Sequence, residues 1–270
     1  NFAAWRHGCT SGVCTTPTGG TNGQVNEIVV GPGAAYAKKT IYLGGNFTQL
    51  CPDCLESLKV SANYVAGYQY SATWLALGSG PGASVTAMAV DPTNSNVYAP
   101  AEVSSNTYAV KRWDGSTWSQ VPGLTTNYNI QALAADGAGN VFATEWSNRI
   151  MVQYAGASAF VEMGMESPVG ETAYLRVMSV DANDHLLVGE SIGSSGAISR
   201  WTAGGHYARN VSSGDWSRLP WPSQIGRSLT PDLLVGDGAG NIYALDDYRW
   251  LRYESSTQTW TVYADRKSVV

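Results

Sequence analysis

Three carboxylates stand at one recurring place in this sequence. Glu145, Glu190 and Asp246 each follow, by four residues, the start of a short apolar run at Val141, Leu186 and Ile242. Glu102 falls one place later in an earlier copy. Gathered around a funnel, such acids would bind a cation or accept hydrogen bonds from sugar hydroxyls. Two of them about 5–10 Å apart would suit glycoside hydrolysis. The plainer alternative is a set of solvated strand ends. Trp146 and Tyr248 follow Glu145 and Asp246 closely, setting a flat apolar face beside an acid, as pockets for sugar rings require. Glu102, Glu145, Trp146, Glu190, Asp246 and Tyr248 are therefore the candidate ligand-binding residues.

Other chemistry is thinly represented. His7, His185 and His206 are scattered without metal-ligand spacing, and no G-x-S-x-G elbow occurs, so no catalytic set, cofactor or metal site is assigned. Asp91, Asp136, Asp181 and Asp237 precede Gly-, Pro- and Asn-rich stretches. Calcium is one reading of these acids. Turn chemistry, each carboxylate capping its own loop, is the other and stronger one, because none matches the D-x-[DN]-x-[DN]-G loop. Cys9 with Cys14 and Cys51 with Cys54 form two close pairs. They read as disulfides of an oxidising compartment; three connectivities are open, the local pairings favoured, with a four-thiolate zinc site as the alternative. The sequons at Asn46 and Asn210 suit secretion.

Composition narrows the partners. Only 14% of the 270 residues are charged, against about 25% in average soluble proteins, and Gly, Ser, Thr, Asn and aromatics take their place. A net charge of −5 argues against nucleic acid. No apolar run approaches the roughly 18 residues of a membrane span. The chain opens at Asn1 without a charged and apolar leader, as a processed or excised chain would.

The elements that must position these residues are legible as repeats. Val85–Asp91 recurs as Ile130–Asp136, Leu175–Asp181 and Asp232–Asp237, with a divergent copy at Val25–Gly31; the closing Asp residues lie 45, 45 and 56 apart. Each copy reads as a strand followed by a turn and a return strand: Ile41–Gly44, Val97–Pro100, Val141–Thr144, Leu186–Gly189 and Ile242–Leu245. Third strands end in Tyr68, Trp113, Tyr154, Trp201 and Tyr253, and fourth strands carry Trp74, Trp118, Phe160, Trp216 and Trp260. Four antiparallel strands repeated at this period make the blade of a β-propeller, with the aromatics filling the spaces between blades. Of the aromatics outside both columns, Trp146, Tyr207, Trp221 and Tyr248 are taken as the candidates to face a ligand.

Ile41–Thr48 (IYLGGNFT), Ser61–Ala66 (SANYVA), Thr73–Gly80 (TWLALGSG) and Arg112–Ser119 (RWDGSTWS) resemble the GGxFT, N-x-[IV]-A, W-x-A-L-G and W-D-G-x-x-W signatures of secreted and cell-surface propeller repeats, broadly similar to kelch and galactose-oxidase-type propellers. The resemblance covers about residues 24–265 and implies architecture; it carries over no copper ligands, because no matching histidine and tyrosine motif is present.

The sequence thus predicts an all-β propeller of four-stranded antiparallel blades, five in number, or six if the N-terminal strands belong to a split blade. Residues 1–23 are read as an N-terminal strand or cap segment with a cysteine pair, and 24–270 as the propeller. The predicted function is a secreted or cell-surface, non-catalytic binding module, lectin-like or adhesive, with glycans or extracellular proteins as partners. A structural subunit of a homo-assembled surface layer, sheath or filament and a rim-site glycoside hydrolase are the alternatives.

Overall fold

The computed structural model describes residues 21–32, 39–50, 59–69, 73–146, 149–163, 174–192, 195–201, 216–219, 231–237, 239–246 and 249–265. Residues 1–20, all four cysteines, Asn210, Tyr207, Trp221 and Tyr248 lie outside them. The chain divides into two compact units, Asn1–Val121 and Pro122–Val270.

In the first unit the chain runs through β1 (Gln24–Val30), β2 (Thr40–Asn46), a ribbon of β3 (Gln49–Leu50) with β4 (Val60–Ser61), then β5 (Val65–Gln69) and β6 (Thr73–Ala76), where β1-β2-β5-β6 form one sheet. The second sheet holds β7 (Ala89–Val90), β8 (Val97–Ser104), β9 (Thr107–Trp113) and β10 (Trp118–Thr126), whose last strand runs across the boundary. The second unit carries three sheets: β11 (Ile130–Ala135), β12 (Val141–Glu145), β13 (Ile150–Gln153) and β14 (Val161–Glu162); β15 (Tyr174–Val180), β16 (Leu186–Ile192), β17 (Ser195–Trp201) and β18 (Trp216–Arg218); and β19 (Leu233–Gly236), β20 (Ile242–Asp246), β21 (Arg249–Glu254) and β22 (Thr259–Asp265). The ladders are antiparallel between chain neighbours, and no helix occurs among the described residues. The fold is an all-β propeller.

Alternation along the second strands decides what holds the sheets together. Leu186 and Val188 point to one side and join Phe142, Ile150 and Val152 of the third sheet; Leu187 points to the other and joins Ile242, Ala244, Leu251 and Tyr253 of the fifth. In the first unit Tyr42 and Val65 likewise meet Val85, Met88 and Val97. Each fully buried Leu, Val or Phe here contributes about 1.5–3 kcal/mol. The aromatic columns clamp the outer hairpins: Tyr68–Trp74, Trp113–Trp118 and Tyr253–Trp260 stack at 4.8, 5.8 and 5.3 Å between centroids, tilted as ring quadrupoles prefer.

One expected strand is shorter than the repeat suggests. Only Ala89 and Val90 of Val85–Val90 enter a ladder. Val85 is turned to the neighbouring sheet instead, where its amide donates to Gly45 O at 3.1 Å and its carbonyl accepts from Asn26 Nδ2 at 2.8 Å.

Candidate functional site

A bulge recurs near the start of the first strand, between Val25 and Glu27, Ile130 and Ala132, and Leu175 and Val177. Beside it the register sets Val25 opposite Gly45, Ile130 opposite Glu145 and Leu175 opposite Glu190. Glu145 and Glu190 therefore occupy one structural position, as their spacing predicts. By alternation both side chains lie on the face that carries Val141 and Ala143, or Leu186 and Val188, and both are fully buried. They are not solvated strand ends.

Burial of a carboxylate requires compensation. Glu145 receives it from Arg149, whose Nε donates to Oε1 at 2.8 Å and whose Nη2 donates to the same oxygen. Hydrogen bonding to Glu145 raises the guanidinium above its ordinary range. Arg149 Nη1 also lies 3.7 Å from Glu162 Oε2, so the cation bridges a buried and an exposed acid. Trp146, next in the chain, is 46% exposed and leans on Tyr174, 42% exposed, with centroids 5.3 Å apart and planes at 50°. Tyr174 opens β15, where it pairs with Ser191 next to the Leu175–Glu190 pair. The structure thus shows two groupings, an open aromatic pair of Trp146 with Tyr174 and an ion chain of Glu145, Arg149 and Glu162 that starts at the residue before Trp146, and it sets Glu190 on the ladder rung next to Tyr174.

The remaining candidates are placed differently. Glu102 is exposed in the first unit, and its Oε1 accepts from Asn106 N at 3.0 Å within the β8–β9 hairpin. Asp246 closes β20 opposite Arg249. Asn46 of the first sequon is exposed at the end of β2.

The four turn aspartates use their oxygens locally. Asp91 accepts from Thr93 and Asn94, Asp136 from Ala138 N and Asn140, Asp181 from Asn183 N and His185, and Asp237 from Ala239 N, Asn241 and Tyr243 Oη, at 2.6 to 3.2 Å. Hydrogen bonding from Asn241 holds the Asp237 carboxyl below its ordinary range. Exposed Asp114, in the W-D-G turn, is lowered in the same way by the amides of Thr117 and Ser116. Among the described residues no group of three or more His, Cys, Asp or Glu is set to hold a metal ion.

Sequence reading passed over Tyr174, Arg149, Glu162 and Glu27. Arg149 had a signal, four residues after an acid at a strand end. Tyr174 had only its place outside the aromatic columns. Glu27 had none: it stands in β1 opposite Gly44, whose Cβ position is hemmed in by Val85 and Met88, and burial pushes its carboxyl up to about 7, tempered by a hydrogen bond with the Ile28 backbone.

No family model matches the chain, and no curated protein matches it in sequence. Solved structures resemble it in fold. A streptogramin B lyase superposes with a TM-score of 0.60 at 10% identity, over 92% of this chain and 72% of that one. A virginiamycin B lyase from Staphylococcus aureus gives 0.57 at 11%, over 91% and 88%. The GH74 xyloglucanase from Xanthomonas campestris gives 0.59 at 15%, over 90% of this chain and 38% of the enzyme. These are β-propeller proteins of differing activity, and at such identities the likeness extends to the fold alone.

Proposed function

We propose that this chain is a non-catalytic, lectin-like binding module, secreted or on a cell surface, that stacks a sugar ring on the Trp146–Tyr174 face. The observation that carries the reading is that pair itself: two large aromatics in contact and still nearly half exposed. An exposed aromatic face suits a pyranose, whose C–H face is apolar and whose rim is hydroxyls. Burial of Glu145 behind Arg149 favours binding over hydrolysis, because a general acid or nucleophile must reach the scissile bond. Secretion rests on the paired cysteines, the sequons and the low charge.

A glycan array probed with the purified protein tests this, together with Trp146→Ala and Tyr174→Ala. Discrete hits that both substitutions abolish, with unchanged melting temperature, are the expected result. A blank array, or hits that survive both substitutions, overturns the reading.

A further inference from the structure

The first sequon, Asn46-Phe47-Thr48, lies where the chain leaves β2 for the β3–β4 ribbon. Asn46 and Thr48 are exposed, while Phe47 between them is 1% exposed and packs with Leu43, Leu50, Ala62 and Ala66. The buried ring thus anchors a triplet whose amide and hydroxyl are both turned to solvent, the two groups that define the sequon.

Hydrogen bonds hold the triplet's backbone in place. Phe47 O accepts from Tyr64 N at 2.8 Å and Thr48 O from Ala62 N at 2.9 Å, and Asn22 Oδ1 accepts from Thr48 N and Gln49 N, each at 2.9 Å. Thr48 Oγ1 accepts from Asn22 Nδ2 at 3.1 Å, which leaves the hydroxyl its own proton to donate. The asparagines around it spend their amides on the fold: Asn22 on Thr48, Asn26 on Val85 O at 2.8 Å and Asn63 on Ser79 O at 3.1 Å. Asn46 pairs with Gln24 through the ladder, and its side-chain amide enters no hydrogen bond among the described residues.

We propose that Asn46 is a site of N-linked glycosylation. The co-reactant is an oligosaccharide carried on a lipid diphosphate. Asn46 Nδ2 attacks the anomeric carbon of its first sugar; a C–N bond forms as the C–O bond to the diphosphate breaks, and the lipid diphosphate leaves and takes up the amide proton. A glycan is bulky and hydrated. At Asn46 it grows into solvent from a strand end whose buried side is filled by Phe47, so the core beneath is left as it is. The proposal shares with the lectin-like reading only the secreted setting.

The whole chain, produced through a eukaryotic secretory pathway behind a cleavable leader, tests the proposal by mass spectrometry of the peptide that contains Asn46, taken from secreted and cell-retained protein alike. The expected result is a peptide bearing hexose and N-acetylhexosamine, from which peptide N-glycosidase releases the sugar and leaves aspartate. Asn46→Gln and Thr48→Ala should abolish the modification and Thr48→Ser should keep it. In protein made without glycosylation, Asn46→Gln should leave the melting temperature unchanged, since the amide is exposed and holds nothing. An unmodified Asn46 peptide overturns the proposal whether or not Asn210 is occupied, and so does carbohydrate on that peptide that survives Asn46→Gln or Thr48→Ala. Glycan-array hits that depend on Trp146 should persist in Asn46→Gln, so each reading can fail without the other.

Discussion

Replacing Glu27 by Gln should remove a pH dependence of stability. The Glu27 carboxyl has its ordinary value of 4.5 in the unfolded chain and about 7 in the folded one, the rise being due first to desolvation. Below 4.5 both states are protonated and the site costs nothing. Between 4.5 and about 7 the unfolded chain releases a proton that the folded chain retains, so stability falls as pH rises, and above about 7 the loss is constant. The full difference corresponds to at most about 3 kcal/mol, and partial exposure of the side chain brings it to about 2. In thermal unfolding that is roughly 4–8 °C for a chain of this size. Asp237 and Asp114 act with the opposite sign. Their carboxyls are lowered by hydrogen bonds, so their contribution is lost as pH falls through values below 3.8, outside the window of Glu27. Differential scanning calorimetry of wild type and Glu27→Gln at four pH values from 4 to about 8 isolates the effect. The wild type should melt progressively lower relative to the variant as pH rises, and level off above 7. A difference in melting temperature independent of pH would refute the reasoning, because it would mean that Glu27 is solvated and charged throughout.

Three further substitutions probe the turns and the close approaches. Asp136→Ala strands the amides of Ala138 and Asn140 and the Asn140 side chain, and should cost about 2–3 kcal/mol by calorimetry, while added calcium leaves the wild-type melting temperature unchanged. His185 holds the place that Asn140 and Asn241 hold in neighbouring turns, with Nδ1 3.0 Å from Asp181 Oδ2; His185→Asn should be neutral to within about 0.5 kcal/mol and His185→Ala should cost about 1 kcal/mol in the same assay. Gly189→Ala puts a Cβ 2.5 Å from Pro231 Cγ and from Val177 Cγ1 between the fourth and fifth sheets, and should destabilise by about 1–3 kcal/mol, measured by the shift in melting temperature.

The strands were legible wherever the sequence carries both a period-two apolar run and a turn that can be read chemically. Asp136-Gly137-Ala138-Gly139-Asn140 is such a turn: the spacing of Asp and Asn lets one carboxylate accept from the chain two and four residues on, which the structure bears out at 3.1 and 2.8 Å. The aromatic columns were legible because the register pairs them directly, Tyr68 with Trp74 and Tyr253 with Trp260. The strand at Val85 was over-read, since its apolar pattern continues into residues whose backbone partners belong to another sheet. No local pattern distinguishes those two uses of an apolar run.

The acids show where sequence reasoning stops and why. Aligning Glu145 with Glu190 required only the repeat, and the register agrees. Whether an aligned acid meets water depends on what lies against its face, which parity along the strand leaves open until the neighbouring sheet is known. Val188 and Glu190 share a side, and the side that buries Val188 also buries Glu190.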